Sequence, residues 1–226
     1  MKNSALVVVD MLYDFIDGSL ACQNADNAVK KTIGFIDSQT KGQGGEDHEI
    51  LDTFPILFIR DHHPADHSSF KEQGGIWPAH CVSGTRGGEI HDDLKPYVQE
   101  ELTFDKGCDK ASEQYSGYEA VNNAEQSLGE ILELLDTTDV YVCGIATEYC
   151  VRKTCEDLAK AGFKVHLLND CLVVTQCLIE LGLVACKRSH FYICPCHICA
   201  VLHVPCKSLK AVEGLVILFP NNIRSS

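Results

Sequence analysis

The chain has 226 residues, a formal net charge of −13 and 13 cysteines. This length predicts one domain with a substantial core, and the acidic charge argues against a nucleic-acid partner, because acidic surfaces repel phosphate backbones. No apolar run approaches the ~20 residues that a membrane helix needs and the first residues lack a signal-peptide pattern, so we expect a cytoplasmic protein without membrane contact or structural disulfides.

Strand and helix signals alternate along the first 170 residues. Short apolar runs rich in β-branched residues predict strands at 5–10, 55–60, 101–104, 139–144 and 164–169. Helices are predicted at 24–38, 119–135 and 148–161. This alternation predicts an α/β fold in which helices cover both faces of a parallel sheet.

An aspartate and a histidine follow the second predicted strand. Asp61 and His63 are two positions apart, so their side chains point to the same side, at the end of the strand where a parallel sheet opens its crevice. His80 is a candidate for a second imidazole, because Trp77 and Pro78 stiffen the chain before it. An Asp/His/His set suits zinc, iron or manganese, whereas solvated surface histidines are the alternative explanation.

Two further residues lie at the ends of predicted strands. Asp10 closes the first strand, a position that an acid capping the next turn also explains. Cys150 follows strand 139–144 near the start of a helix, where backbone N–H groups and the helix dipole lower the pKa of a thiol. Cys150 is therefore a candidate nucleophile, with a buried packing cysteine as the alternative.

Five sequence blocks, in the same order, resemble those of nicotinamidases, which are amidases of the isochorismatase-like cysteine hydrolase superfamily. They are residues 9–15, 60–64, 77–85, 104–107 and 144–151. Blocks 60–64 and 77–85, which contain the candidate metal ligands, favour nicotinamidases within the superfamily, because isochorismatases and carbamoyl amidohydrolases generally lack them. The resemblance implies a three-layer α/β/α fold with a six-stranded parallel sheet, of which five strands are visible in the sequence and the last is uncertain.

The resemblance also implies the catalytic residues. Cys150 would attack the amide of nicotinamide and form a thioester, Asp10 would take the thiol proton, and Lys106 would hold both in their charged forms. The family's oxyanion donors are the backbone N–H groups that match Ala146 and Cys150, with a cis peptide between the residues that match Ile145 and Ala146.

The implied cofactor is one divalent metal ion, with zinc as the first choice and iron or manganese as alternatives. The family's ligands match Asp61, His63 and His80, and a fourth position falls at His67 or Glu72. The ion would bind the pyridine nitrogen of the substrate. Two aromatic residues match positions that pack against the ring, although core packing explains them as well: Phe15 and Trp77.

The expected reaction is therefore the hydrolysis of nicotinamide to nicotinate and ammonia in NAD salvage. Pyrazinamide-like analogues are further candidate substrates, and the chain would act as a monomer or a homo-oligomer. Two alternatives stay open: a metal-free cysteine hydrolase of the same superfamily acting on carbamoyl or ureido amides, and an inactive metal-binding homologue.

The end of the chain differs in composition from the rest. Residues 171–226 contain seven cysteines, five basic residues and two acidic ones. We therefore expect a hydrolase domain at 1–174 and an atypical cysteine-rich tail at 175–226 that is not the family's own ending. Within it, Cys194, Cys196, His197 and Cys199 suit zinc by residue type, but their spacing is more crowded than in known zinc sites.

Overall fold

The computed structural model describes residues 3–40, 54–175 and 215–218. A six-stranded parallel sheet lies at its centre, in the spatial order β3-β2-β1-β4-β5-β6. The strands are β1 (Ser4–Val9), β2 (Ile56–Asp61), β3 (Thr103–Lys106), β4 (Asp139–Ile145), β5 (Lys164–Val173) and β6 (Leu215–Leu218). The predicted parallel sheet is confirmed, and β6 is the strand that the sequence leaves uncertain.

The central strand β1 separates two cores. Its successive side chains point to opposite faces, so Leu6 and Val8 lie in one core whereas Val7 and Val9 lie in the other. Every residue of β1 is buried. This is the pattern of a parallel strand that has helices on both faces, and it explains why β1 is a continuous apolar run.

Helices complete the layers on the two faces. They are α1 (Tyr13–Ile16), α2 (Ala25–Thr40), α3 (Leu128–Leu134) and α4 (Arg152–Lys160). Apolar residues of α2 pack into the core of Leu6, while those of α3 and α4 pack into the core of Val7. The loops contain short 3-10 helices and one π-helical turn: Lys71–Gln73, Arg86–Gly88, Asp92–Tyr97, Glu100–Leu102 and Thr147–Val151. None of the helices in the described ranges is long and apolar enough to span a bilayer.

Several predicted elements have different bounds in the structure. The predicted strand at 164–169 extends to Val173, and the predicted helix at 148–161 is a π-helical turn followed by α4. The predicted helix at 119–135 begins only at Leu128, because Ser127 accepts a hydrogen bond from the Glu130 N–H (3.2 Å) and the Glu130 carboxylate accepts one from the Ser127 N–H (2.7 Å). This capping box starts a helix, and Val121 before it pairs with Asp105 instead. The predicted strand at 101–104 is shifted to Thr103–Lys106, after a 3-10 turn.

The strand order creates a crevice beside β1. Within the sheet, β2 and β3 lie on one side of β1. The chain then returns past β1 and places β4 on its other side. In open parallel sheets, ligands bind outside the carboxyl ends of the strands at such a reversal. The ends of β1, β2, β3 and β4 are therefore the expected location of a site.

Candidate active site

Four chemically active side chains meet at the carboxyl ends of the four neighbouring strands. Asp10 follows β1, Asp61 and Lys106 are the last residues of β2 and β3, and Cys150 lies in the π-helical turn after β4. Their residue exposures are only 0–5%. The structure thus brings the three expected catalytic residues into one buried group, together with one expected metal ligand.

The ammonium of Lys106 lies at the centre of this group. Its Nζ is 2.9 Å from Asp10 Oδ2 and 3.4 Å from Cys150 Sγ, and it donates a hydrogen bond to Asp61 Oδ1. The other oxygen of Asp10 accepts the backbone N–H of Asp61 at 3.0 Å. One cation therefore stabilises two carboxylates and contacts a thiol, away from water.

The two carboxylates differ in their affinity for protons. Burial and, after it, the charge of Asp61 raise the pKa of Asp10 to about 7. Burial alone would raise the pKa of Asp61 as well, but Lys106 and His63 outweigh it and hold that pKa below its usual value. Asp10 is consequently the carboxyl group that exchanges a proton near neutral pH, which suits a general base.

The thiol of Cys150 does not have the lowered pKa that we expected from the sequence. Burial raises its pKa well above the ordinary value, and the nearby Lys106 opposes this only in part. Cys150 lies within the π-helical turn, two residues before α4 begins, rather than at the exposed end of a helix. The resting thiol is therefore protonated and needs a base.

Asp10 provides the acceptor for that proton. Its Oδ2 forms an ion pair with Lys106, yet no donor in the described part of the chain reaches this oxygen with hydrogen-bonding geometry. A carboxylate oxygen of Asp10 and the sulfur of Cys150 lie within 4.8 Å of each other. The pair can therefore pass a proton from sulfur to oxygen.

The turn that carries Cys150 is held close to β1. Gly144 has φ of +130°, and a Cβ there would lie 2.0 Å from the carbonyl oxygen of Val9. The following Ile145–Ala146 peptide is cis, the isomer that the resemblance implies. On the far side, Thr154 donates its hydroxyl to the Cys150 carbonyl at 2.7 Å, which fixes the turn against α4.

A second buried group adjoins the first. Potential ligand atoms of Asp61, His63 and His80 lie within 4.8 Å of one another, and His63 Nε2 is 3.7 Å from Asp61 Oδ2. Nδ1 of His63 lies 2.9 Å from the Gly107 carbonyl and Nδ1 of His80 lies 2.8 Å from the Pro78 carbonyl. A carbonyl requires a donor, so both rings carry their proton on Nδ1 and present Nε2 as a ligand.

This donor set suits a divalent metal ion. Ligands about 2.1 Å from a tetrahedral ion lie roughly 3.4 Å apart, which is close to the observed 3.7 Å between Asp61 and His63. Carbonyl acceptors on the second nitrogen of each imidazole are the usual support of metal-binding histidines. The three residues therefore fit the metal that the sequence leads us to expect.

The candidates for a fourth ligand lie outside this group. The ring of His67 is tilted against that of His63, with 4.3 Å between ring centroids, but its two nitrogens contact Ser69 Oγ (2.7 Å) and the Ser112 carbonyl (3.2 Å). Glu72 is exposed on a 3-10 helix. The four-residue zinc candidate in the tail, Cys194, Cys196, His197 and Cys199, lies outside the described residues.

A cavity of about 280 Å³ opens onto both groups. The polar residues that line it include Asp61, His80 and Cys150. Four aromatic residues, called the aromatic wall below, also line it: Phe15, Trp77, Tyr115 and Tyr149. Small-molecule sites combine apolar walls with a few convergent polar groups in this way. The volume suits a single small ring.

Two of these aromatic residues, Tyr115 and Tyr149, were not among the predicted site residues. Trp77 Nε1 donates to the Tyr115 hydroxyl at 3.3 Å, and the ring of Tyr149 meets Trp77 edge-on with 5.2 Å between centroids. Tyr149 directly precedes Cys150, so its position in the nucleophile block was an available signal. Tyr115 lies in a loop without periodicity and had none.

Comparison with known proteins agrees with this geometry. A model of the isochorismatase domain matches residues 4–176. The nicotinamidase/pyrazinamidase of Mycobacterium tuberculosis is 32% identical over 169 residues, which cover 74% of this chain and 84% of that protein.

Two solved structures share the fold over most of their length. The pyrazinamidase of Pyrococcus horikoshii in complex with zinc has a TM-score of 0.69 at 32% identity, covering 96% of this chain and 98% of that one. PnC1 from L. infantum in complex with nicotinate has a TM-score of 0.66 at 25% identity, covering 96% and 92%. This chain therefore belongs to the isochorismatase family, is a hydrolase, and its resemblance to the nicotinamidases is confirmed.

Proposed function

We propose that this enzyme hydrolyses nicotinamide to nicotinate and ammonia, a step of NAD salvage in the cytoplasm. The observation that carries the proposal is that a buried Asp10–Lys106–Cys150 group and a buried Asp/His/His group open onto one ring-sized cavity. The relatives support the same substrate class, since one is a nicotinamidase/pyrazinamidase and another was solved with nicotinate.

Asp61, His63 and His80 would hold one divalent ion, with zinc first because a related pyrazinamidase was solved with zinc, and iron or manganese as alternatives. When bound, the ion would supply a Lewis-acid contact that orients the pyridine nitrogen of the substrate. This buried donor set favours nicotinamide over the carbamoyl and ureido amides of metal-free relatives.

The chemical step begins with the thiol. Asp10 removes the proton of Cys150 through Oδ2, and the sulfur attacks the amide carbon of the substrate. The ammonium of Lys106, 3.4 Å from the sulfur, stabilises the thiolate as it forms. The carbonyl electrons move to oxygen, where the backbone N–H groups of Ala146 and Cys150 are the proposed donors.

The same proton serves the leaving group. Protonated Asp10 returns it to the amide nitrogen, so that ammonia departs as the carbon–nitrogen bond breaks and a thioester of Cys150 remains. Asp10 is then ionised again and activates a water molecule. Water cleaves the thioester, which releases nicotinate and restores the thiol.

The aromatic wall holds the ring in the plane that this attack requires. Phe15 meets His80 edge-on with 5.7 Å between centroids, and the hydrogen bond from Trp77 to Tyr115 fixes the indole. A ring between these walls would turn its carboxamide toward Cys150 and its nitrogen toward His80. Holding the reacting groups in place can supply much of the rate enhancement.

Release of ammonia from nicotinamide by the zinc-loaded chain tests the proposal. We expect Cys150→Ala to lower kcat/KM by at least 10³-fold, because an activated nucleophile is lost. The matched control is Cys155→Ala, which removes another buried thiol, one helical turn later and outside the cavity lining, and should keep parental kinetics. Cys150→Ala activity within about tenfold of the parent would contradict the proposal, as would a parent that hydrolyses ureido amides but not nicotinamide.

A further inference from the structure

The carboxylate of Asp14 joins two loops that adjoin the cavity. Its Oδ1 accepts the backbone N–H of Ser19 at 3.0 Å, and its Oδ2 accepts the backbone N–H of Cys81 at 2.7 Å. Ser19 begins the cavity wall formed by residues 19–22. Cys81 directly follows His80 in the sequence, so one side chain of α1 fixes the wall and the metal group relative to each other.

The backbone of Cys81 also connects the two chain segments that carry His63 and His80. Its carbonyl accepts the N–H of His63 at 3.1 Å, and its N–H is the one bound by Asp14. Cys81 has φ of +47°, a left-handed conformation that non-glycine residues rarely adopt without support. The hydrogen bonds of the Cys81 N–H and carbonyl groups supply that support. They also fix the position of His80 relative to His63.

Two glycines enclose the Asp14 carboxylate. A Cβ at Gly87 would lie 2.1 Å from Oδ2, and a Cβ at Gly18 would lie 2.3 Å from Oδ1. Only residues without a side chain leave room for the carboxylate in its observed position. The surrounding chain is therefore shaped around this group rather than merely tolerating it.

We propose that Asp14 is a positioning residue for the metal group: it holds Cys81 in its left-handed conformation and thereby keeps His80 within ligand distance of Asp61 and His63. The inference rests on the proposed function only in assigning a metal to those three residues. The partners of the Asp14 carboxylate are the backbone N–H groups of Ser19 and Cys81, and Asp14 is not one of the residues that line the cavity. Its effect travels through one peptide group.

The test is the Zn²⁺ affinity of the full chain, measured after metal removal by competition with a chromophoric chelator. Asp14→Asn keeps the shape but turns an NH₂ group toward one of two N–H donors. We expect the dissociation constant for Zn²⁺ to rise 10- to 100-fold. This is the usual effect of losing a residue that supports a metal ligand from outside the coordination sphere. The control is Asp17→Asn, the same change three residues away, where the exposed carboxylate pairs with Arg86 at 3.4 Å. The Zn²⁺ affinity of this variant should stay within twofold of the parent.

A second variant keeps the inference testable if Asp14→Asn fails to fold. Gly87→Ala leaves Asp14 in place but pushes its carboxylate aside, so Zn²⁺ affinity should fall in the same direction. Parental Zn²⁺ affinity in the folded variants, even with a lowered Tm, would overturn the inference, because the role of Asp14 would then be structural only. A parent that binds Zn²⁺ but leaves nicotinamide intact would refute the proposed function alone, and a parent that binds no Zn²⁺ would overturn both.

Discussion

Replacing Lys106 with methionine is the sharpest test of how the buried charges are balanced. The variant keeps the length of the side chain but removes the ammonium that lies 2.9 Å from Asp10 and hydrogen bonds to Asp61. Removing one partner of a buried ion pair costs about 3–5 kcal/mol. For a chain of this size, each kcal/mol lowers Tm by about 2–4 °C, so we expect Tm to fall by roughly 6–20 °C.

Urea unfolding with the midpoint as the readout, together with thermal scans, measures this loss. The control is Lys110→Met, which removes an exposed ammonium 3.0 Å from Asp66 and should change stability little, because surface ion pairs contribute little. If both variants unfold at the parental midpoint, the reasoning is refuted. In that case Asp10 and Asp61 would not depend on Lys106 for their charge, and its proposed role toward Cys150 would lose its basis.

Two further variants test the metal group and the nucleophile turn. His80→Ala should retain its fold but hold less than half of the parental zinc by elemental analysis, whereas His91→Ala, outside the metal group, should hold the full amount; stoichiometric zinc in His80→Ala would argue against the ligand assignment. Gly144→Ala should give little soluble protein, because its Cβ would lie 2.0 Å from the Val9 carbonyl oxygen, while Gly34→Ala, with nothing within 4 Å, should be as stable as the parent or up to about 1 kcal/mol more stable. A Gly144→Ala chain with parental Tm would contradict this account of the turn.

The arrangement of the sheet could be predicted because buried parallel strands produce continuous apolar runs. The run at 5–10 became β1, in which every residue is buried. The start of α3 was predicted wrongly although its signal was present: Ser127 and Glu130 have the spacing of a capping box, which starts the helix at Leu128 rather than at residue 119. Local capping chemistry, rather than periodicity, fixed that boundary.

The sequence indicated which residues meet at the site better than it indicated their chemistry. Motif order was enough to bring Asp10, Lys106 and Cys150 together as candidates. The direction of the Cys150 pKa shift was wrong, because it depends on complete burial, which a position along the chain does not reveal. The hydrogen bond from the Cys81 N–H to the Asp14 carboxylate joins residues 67 positions apart, and no local sequence pattern predicts it.

Asp61 links the two halves of the site in a way that neither motif shows. Its Oδ1 accepts the hydrogen bond from Lys106, and its Oδ2 faces His63 at 3.7 Å. The sequence groups Asp61 with the histidines, but the geometry makes it equally a partner of the catalytic ammonium. Its backbone N–H also binds Asp10 at 3.0 Å, so a change at Asp61 would disturb metal binding, the charge of Lys106 and the placement of the base together. Lys106 and His80 each belong to only one of the two groups, and substitutions there separate the catalytic contribution from the metal contribution where substitution of Asp61 cannot.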